Sequence, residues 1–167
     1  MNTGQMMITI AAMMLLTVVI LRVNTNFFNT SNLMYETKFG VMAVSLGTSI
    51  IEEASSKAFD ANSVDMSLGN VNSLTNPNSL GKETGEVYPD FDDFDDYNGY
   101  TKNTSGDPTF QSAVFNASCV VKYVNPPNLN SFTNSRSWHK KISVTITSPS
   151  MVDTVKMSTV FSYWYFR

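Results

Sequence analysis

Cysteine and histidine are nearly missing from this chain, which has one of each, Cys119 and His139. A lone cysteine excludes an intrachain disulfide. A lone histidine excludes a multi-histidine metal or catalytic cluster. Basic excess is missing as well: the net charge is −3, which argues against nucleic acid as the main partner, because phosphate binding needs a basic face. No charged side chain precedes Arg22 and no proline precedes Pro77, so the first third of the chain holds nothing that must break a helix. There is no nucleophile elbow, no glycine-rich phosphate loop and no HExxH pair, and an enzyme is not expected.

The chain does have a long apolar run near its start, Met6–Leu21, in which only Thr9 and Thr17 are polar. A membrane span, a cleaved signal and the core of an assembly are its three candidate uses. With Gly4, Gln5 and Val23 it reaches the roughly 17–25 residues that cross a hydrocarbon core. A secretory signal would have a basic start and a small-residue cleavage site, and neither is present. Positive charge marks the cytoplasmic side of a span, so Arg22 would hold the polar body inside the cell. That body is rich in Asn, Ser and Thr, as surface material is. A basic leader removed ahead of Met1 resolves the conflict, with Met1 as the mature N-terminus. The methionines at 1, 6, 7, 13 and 14 read as fillers of helix–helix gaps rather than metal ligands.

The expected fold class is α+β, a long N-terminal helix packed against a C-terminal antiparallel sheet. Residues 1–60 form the helix, with 1–24 as membrane or filament-core segment and 33–59 as an amphipathic part. At about 1.5 Å per residue, a helix over 3–59 is roughly 85 Å long, more than one small domain covers. The stretch Arg22–Asn32 is rich in Asn and Thr, which compete for backbone hydrogen bonds, so the helix is expected to continue through it in loosened form. Tyr35, Phe39, Met42, Leu46, Ile50 and Ala54 recur at helical spacing and make a stripe that packs on the sheet. Gly40 and Gly47 permit close approach, and the helix should end near Asp60–Asn62. Residues 61–108 are variable surface loops with an acidic segment. Residues 109–167 are the sheet domain: period-2 alternation marks strands over Ala113–Tyr123, Ile142–Ile146 and Val155–Tyr165. The last two should pair as a hairpin, and Asn125–Ser137 should be a loop.

The acidic segment offers Asp90, Asp92, Asp93, Asp95 and Asp96, with Glu83 and Glu86 upstream. Clustered hard oxygen ligands suit Ca²⁺, although the spacing is not that of an EF-hand. A solvated loop is the commoner reading of a like-charged run. Phe91, Phe94, Tyr97 and Tyr100 recur every three residues there and are expected to anchor the loop on the sheet. His139 reads as a surface residue at a strand start and Cys119 as a small buried hydrophobe. Asn29, Asn103 and Asn116 head possible glycosylation triplets.

Several strings together resemble type IV pilins. DFDDFDDYNGY (Asp90–Tyr100) resembles the acidic segment of minor pilins of the mannose-sensitive-haemagglutinin type. KKISVTITSP (Lys140–Pro149) and VKMSTVFSYW (Val155–Trp164) are similar to the C-terminal strand pair of those proteins, and SIIEEASSKAFD (Ser49–Asp60) to the end of their helix. Two features depart from the family pattern: Gln5 stands where the family has Glu, and the family's disulfide is absent. The resemblance implies a structural subunit of an extracellular filament on the bacterial surface, with methylation and a part in cell adhesion. Met1, Gln5, Met6, Met7, Ile10, Met13, Met14, Leu16, Val19 and Ile20 would make the filament core. The implied partners are identical subunits, the inner membrane before assembly, the pilus assembly machinery and a prepilin peptidase. A minor pilin or pseudopilin of a pilus or type II secretion apparatus, and a single-span membrane-anchored binding module, are the alternatives.

Overall fold

The computed structural model describes residues 2–163. Its one long helix, α1, spans Thr3–Ser55, and five strands follow: β1 (Thr101–Asn103), β2 (Asn116–Asn125), β3 (Asn128–Phe132), β4 (His139–Thr147) and β5 (Val155–Ser162). Short 3-10 turns punctuate residues 61–110. The chain divides into two compact units, Met1–Lys38 and Phe39–Arg167.

In the first unit the described residues are helical from Thr3 onward, and none is buried. The Asn/Thr-rich stretch is regular helix, not the loosened form that its composition suggests. The threonines are absorbed into the helix: the Thr17, Thr25, Thr30 and Thr37 hydroxyls each donate to the carbonyl four residues back, at 2.8–2.9 Å. Thr9 donates to the Gln5 and Met6 carbonyls. A hydroxyl that serves its own backbone needs no water, and this makes such a helix fit for apolar surroundings.

In the second unit the amphipathic stripe does its expected work from Phe39 on. Ala43, Leu46, Gly47, Ile50 and Ala54 are buried, and Phe39 and Met42 pack against that core. Tyr35, expected to begin the packed stripe, is exposed, because the unit that buries the stripe starts only at Phe39. Gly47 marks the close approach to the sheet: a Cβ there would lie 2.8 Å from Met157 Sδ and 2.9 Å from Ile146 Cδ1. Gly40 has no such neighbour. The helix stops at Ser55, short of the expected Asp60–Asn62. Ala58 bonds the acidic segment instead of the helix: its N–H donates to Asp92 O at 3.1 Å, and its carbonyl accepts from Phe94 N at 2.9 Å.

The sheet is antiparallel, with order β1-β2-β4-β5 and β3 attached to β2. β4 and β5 form the expected hairpin, from Ile146 opposite Val155 to His139 opposite Ser162. Tyr165 lies outside the described residues. Alternation along β2 and β4 puts Ala117, Cys119, Val121, Tyr123, Ile142, Val144 and Ile146 in the core. Two expected loops hold strands. β3 lies within Asn125–Ser137, its Phe132 opposite Val124 of β2, and all of its residues are exposed, so no buried face announces it. β1 has three residues and lies at the edge beside β2.

Candidate functional site

Two features stand out chemically. One is the exposed apolar helix. Met6, Met7, Ile10, Met13, Met14, Leu16, Val19 and Ile20 expose between 48% and 74% of their surface. Gln5 is exposed as well, and Met1 lies outside the described residues. The helix is long and apolar enough to cross a membrane, and its most apolar window has none of its residues buried. Exposed apolar side chains continue past that window at Val23, Phe27, Phe28, Leu33 and Met34. A monomeric soluble protein rarely leaves a patch of this kind uncovered.

The second feature lies where the acidic segment meets β4, and it overturns the solvated-loop reading. Asp93, Asp95 and Asp96 are buried, while Asp90 and Asp92 stay exposed. The four aromatics hold the segment down: Phe91, Phe94 and Tyr97 are buried and Tyr100 packs against them. The Phe91 ring lies 5.2 Å from Tyr97 and 5.7 Å from Tyr100.

Opposite these carboxylates stands Lys140, which is fully buried. Along β4 it shares the inward phase with Ile142, Val144 and Ile146. Its Nζ contacts Asp95 Oδ1 and lies 2.7 Å from both Asp60 Oδ2 and the Phe59 carbonyl. The Phe59 ring centroid is 4.6 Å away. Asp60 is the hub of this network. It accepts from the Thr75 N–H (3.0 Å) and Thr75 Oγ1 (3.0 Å), and from the Asn62 N–H (3.2 Å). Tyr123 Oη is 3.2 Å from Asp60 and 2.9 Å from Thr75 O. Burial pulls the Asp60 pKa up. The Lys140 ammonium and the bonds from Lys140 and Thr75 outweigh burial and hold it below the usual carboxylate range.

The neighbouring carboxylates go the other way. Burial, reinforced by the Asp95 charge, pushes Asp93 up to about 9. Burial also raises Asp96. Asp93 Oδ1 accepts from the Asp95 and Asp96 N–H groups, and Asp96 Oδ2 from those of Asp92 and Asp93. Asp93 Oδ2, Asp95 Oδ2 and Asp96 Oδ1 accept no hydrogen bond from a nitrogen or hydroxyl donor, and carboxyl–carboxyl hydrogen bonds join Asp93 to Asp95 and Asp96 to Glu86. Of the five aspartates named for Ca²⁺, only Asp92, Asp93 and Asp96 bring carboxylate oxygens within 4.8 Å of one another, and Asp96 also groups with Glu83 and Glu86. Asp90 stands apart, and Asp95 is taken by Lys140.

Among the remaining expected positions, Asn29 sits on the exposed helix, and Asn103 and Asn116 are exposed on paired strands, where their side chains bond each other at 2.6 Å. Cys119 is a buried free thiol, its pKa pushed up to about 12 by burial. His139 is half-buried at the start of β4, its Nδ1 2.7 Å from Ser162 Oγ. The Lys140 network is the site that composition did not reveal. Its signal was the phase of β4, which places a lysine in a row of inward β-branched residues.

No protein-family model, no curated protein and no solved structure matches the chain. A long apolar N-terminal helix whose second part packs on an antiparallel sheet is compatible with a pilin-like subunit or with a membrane-anchored protein.

Proposed function

We propose that this protein is a structural subunit of a type IV pilus-like extracellular filament, held in the inner membrane by α1 before it polymerises. One observation carries the reading: exposed apolar side chains recur on the helix beyond the length a bilayer covers, past the polar Arg22–Asn32 stretch. From Met6 to Met34 the helix rises by about 42 Å at 1.5 Å per residue, against a hydrocarbon core of about 30 Å. Lipid can cover the Met6–Leu21 portion. Phe27, Phe28, Leu33 and Met34, each more than 60% exposed, need another cover, and neighbouring copies of the same helix supply one. Each side chain so covered contributes about 1.5–3 kcal/mol, and head-to-tail contacts between identical subunits extend without closing. The role is structural rather than catalytic.

Gln5 shapes how the subunits meet. It can accept a hydrogen bond from a neighbouring terminal amine but cannot neutralise it, so that amine must find charge compensation elsewhere or stay hydrated. Substituting Ala11→Asp puts a carboxylate in the middle of the apolar run and should abolish fibres, while the sheet unit keeps its fold by circular dichroism. Fibres of normal abundance from that variant would refute burial of the helix core.

A further inference from the structure

We propose that Lys140 and Asp95 become joined by an amide bond between Nζ and Cγ, formed within the folded sheet unit with Asp60 as the proton carrier. The inference does not depend on the filament reading, and its test is independent of fibre formation.

Three observations point to it. First, a primary amine and a carboxylate are in direct contact, both fully buried. Second, a further buried carboxylate, Asp60, lies 2.7 Å from the same nitrogen, where it can take and return a proton. Third, the surroundings are largely aromatic: the Phe59 and Tyr123 rings face Nζ at 4.6 and 5.4 Å, and Phe94 and Tyr97 are buried on the Asp95 side of the core. Burying two full charges costs most of what their attraction returns, and an amide removes both charges from the core.

The two aspartates are not equivalent. Asp60 is surrounded by donors, namely the Thr75 N–H and hydroxyl and the Asn62 N–H, which hold it as an anion beside Nζ, placed to accept the proton that the attacking nitrogen sheds. Asp95 has no such set: its side chain meets Lys140 and the Asp93 carboxyl, and a hydrogen bond from that carboxyl polarises the Asp95 carbonyl and makes Cγ the electrophile. The Lys140 ammonium passes one proton to the Asp95 carboxylate, leaving an amine and an acid. The amine lone pair attacks Cγ and the C–N bond forms. Asp60 takes the proton that the nitrogen sheds and returns it to the departing hydroxyl. The C–O bond breaks and one water leaves. Nothing is oxidised or reduced, and loss of water from a dry core draws the reaction toward the amide.

The product would tie the acidic segment to β4 across 45 positions of sequence. In a chain without disulfides, such a tie restricts the unfolded ensemble as a disulfide would.

The test is peptide mapping of the purified full-length protein, digested after denaturation and read by tandem mass spectrometry. The expected result is that peptides holding Asp95 and Lys140 are recovered joined, lighter by one water than their sum. Lys140→Arg and Asp95→Ala should each lose the joined species completely. Asp60→Asn keeps both reactants and should slow its appearance by about 100-fold or more, the scale of a lost proton carrier. The wild-type digest decides the matter even if a variant fails to fold. Separate Asp95 and Lys140 peptides at full mass from folded wild-type protein would overturn the proposal, and so would a link carried by Asp60.

Discussion

Asp93 shows how one side chain can set the pH response of the sheet unit. Burial is the largest cause of its raised pKa; while Lys140 and Asp95 remain a free ion pair, the charge of Asp95 follows, with Lys140 opposing and Asp96 adding to the rise, and burial persists once an amide has removed those two charges. In the unfolded chain it titrates as an ordinary carboxyl near 3.8. Between that value and about 9 the folded state holds a proton that the unfolded state has lost, so stability falls as pH rises through this window. The slope from one such proton is at most about 1.4 kcal/mol per pH unit. Asp60 acts in the opposite direction and in a different window. Its pKa is depressed, so its contribution is present above the normal carboxylate range and is lost only as pH drops below it. The melting temperature should therefore be higher near pH 5 than near pH 8. Asp93→Asn, which mimics the protonated form, should flatten the difference. A melting temperature that climbs from pH 5 to 8 would contradict this assignment.

At the scale of elements, α1 serves two purposes in one piece, and its glycines distinguish them. Gly47 lies where the helix meets β4 and β5, and any larger side chain meets Met157 and Ile146. Gly47→Leu should lose about 1–3 kcal/mol through overpacking, more than the roughly 1 kcal/mol that a better helix former returns. Gly40→Leu, with open space at its Cβ, should be neutral or stabilising in the same denaturant titration. Equal losses from both would show that helix propensity, not packing, sets the outcome. These elements also show what could be read from residues alone. The stripe from Phe39 to Ala54 and the alternation of Ile142, Val144 and Ile146 were legible because burial repeats with the period of the element. β3 was not, since Asn128–Phe132 has no buried face and follows Pro126-Pro127. The end of the helix was misplaced because Ala58 bonds to Asp92 and Phe94, partners more than thirty positions away. The acidic segment was misread for a related reason. Its charge run resembles any solvated loop until Lys140 is placed opposite it, and only the inward phase of β4 puts it there.

For the molecule as a whole, the central claim is that the first unit of α1 is built to be covered. The hydroxyls of Thr9, Thr17, Thr25, Thr30 and Thr37 are satisfied within the helix, its described residues are unburied, and exposed apolar side chains recur beyond the length that lipid alone spans. The second unit carries the antiparallel sheet, a buried hydrophobic core and a buried charge network. A chain divided this way suits a subunit that is inserted first and polymerised afterwards. The most direct test is cryo-electron microscopy of the native assembly sheared from cells that make this protein. The account predicts filaments in which the Met6–Leu21 helices of many copies pack side by side in a shared core, with the sheet units outside. Single copies with that helix surrounded only by lipid or detergent, and no filaments of this chain, would contradict it.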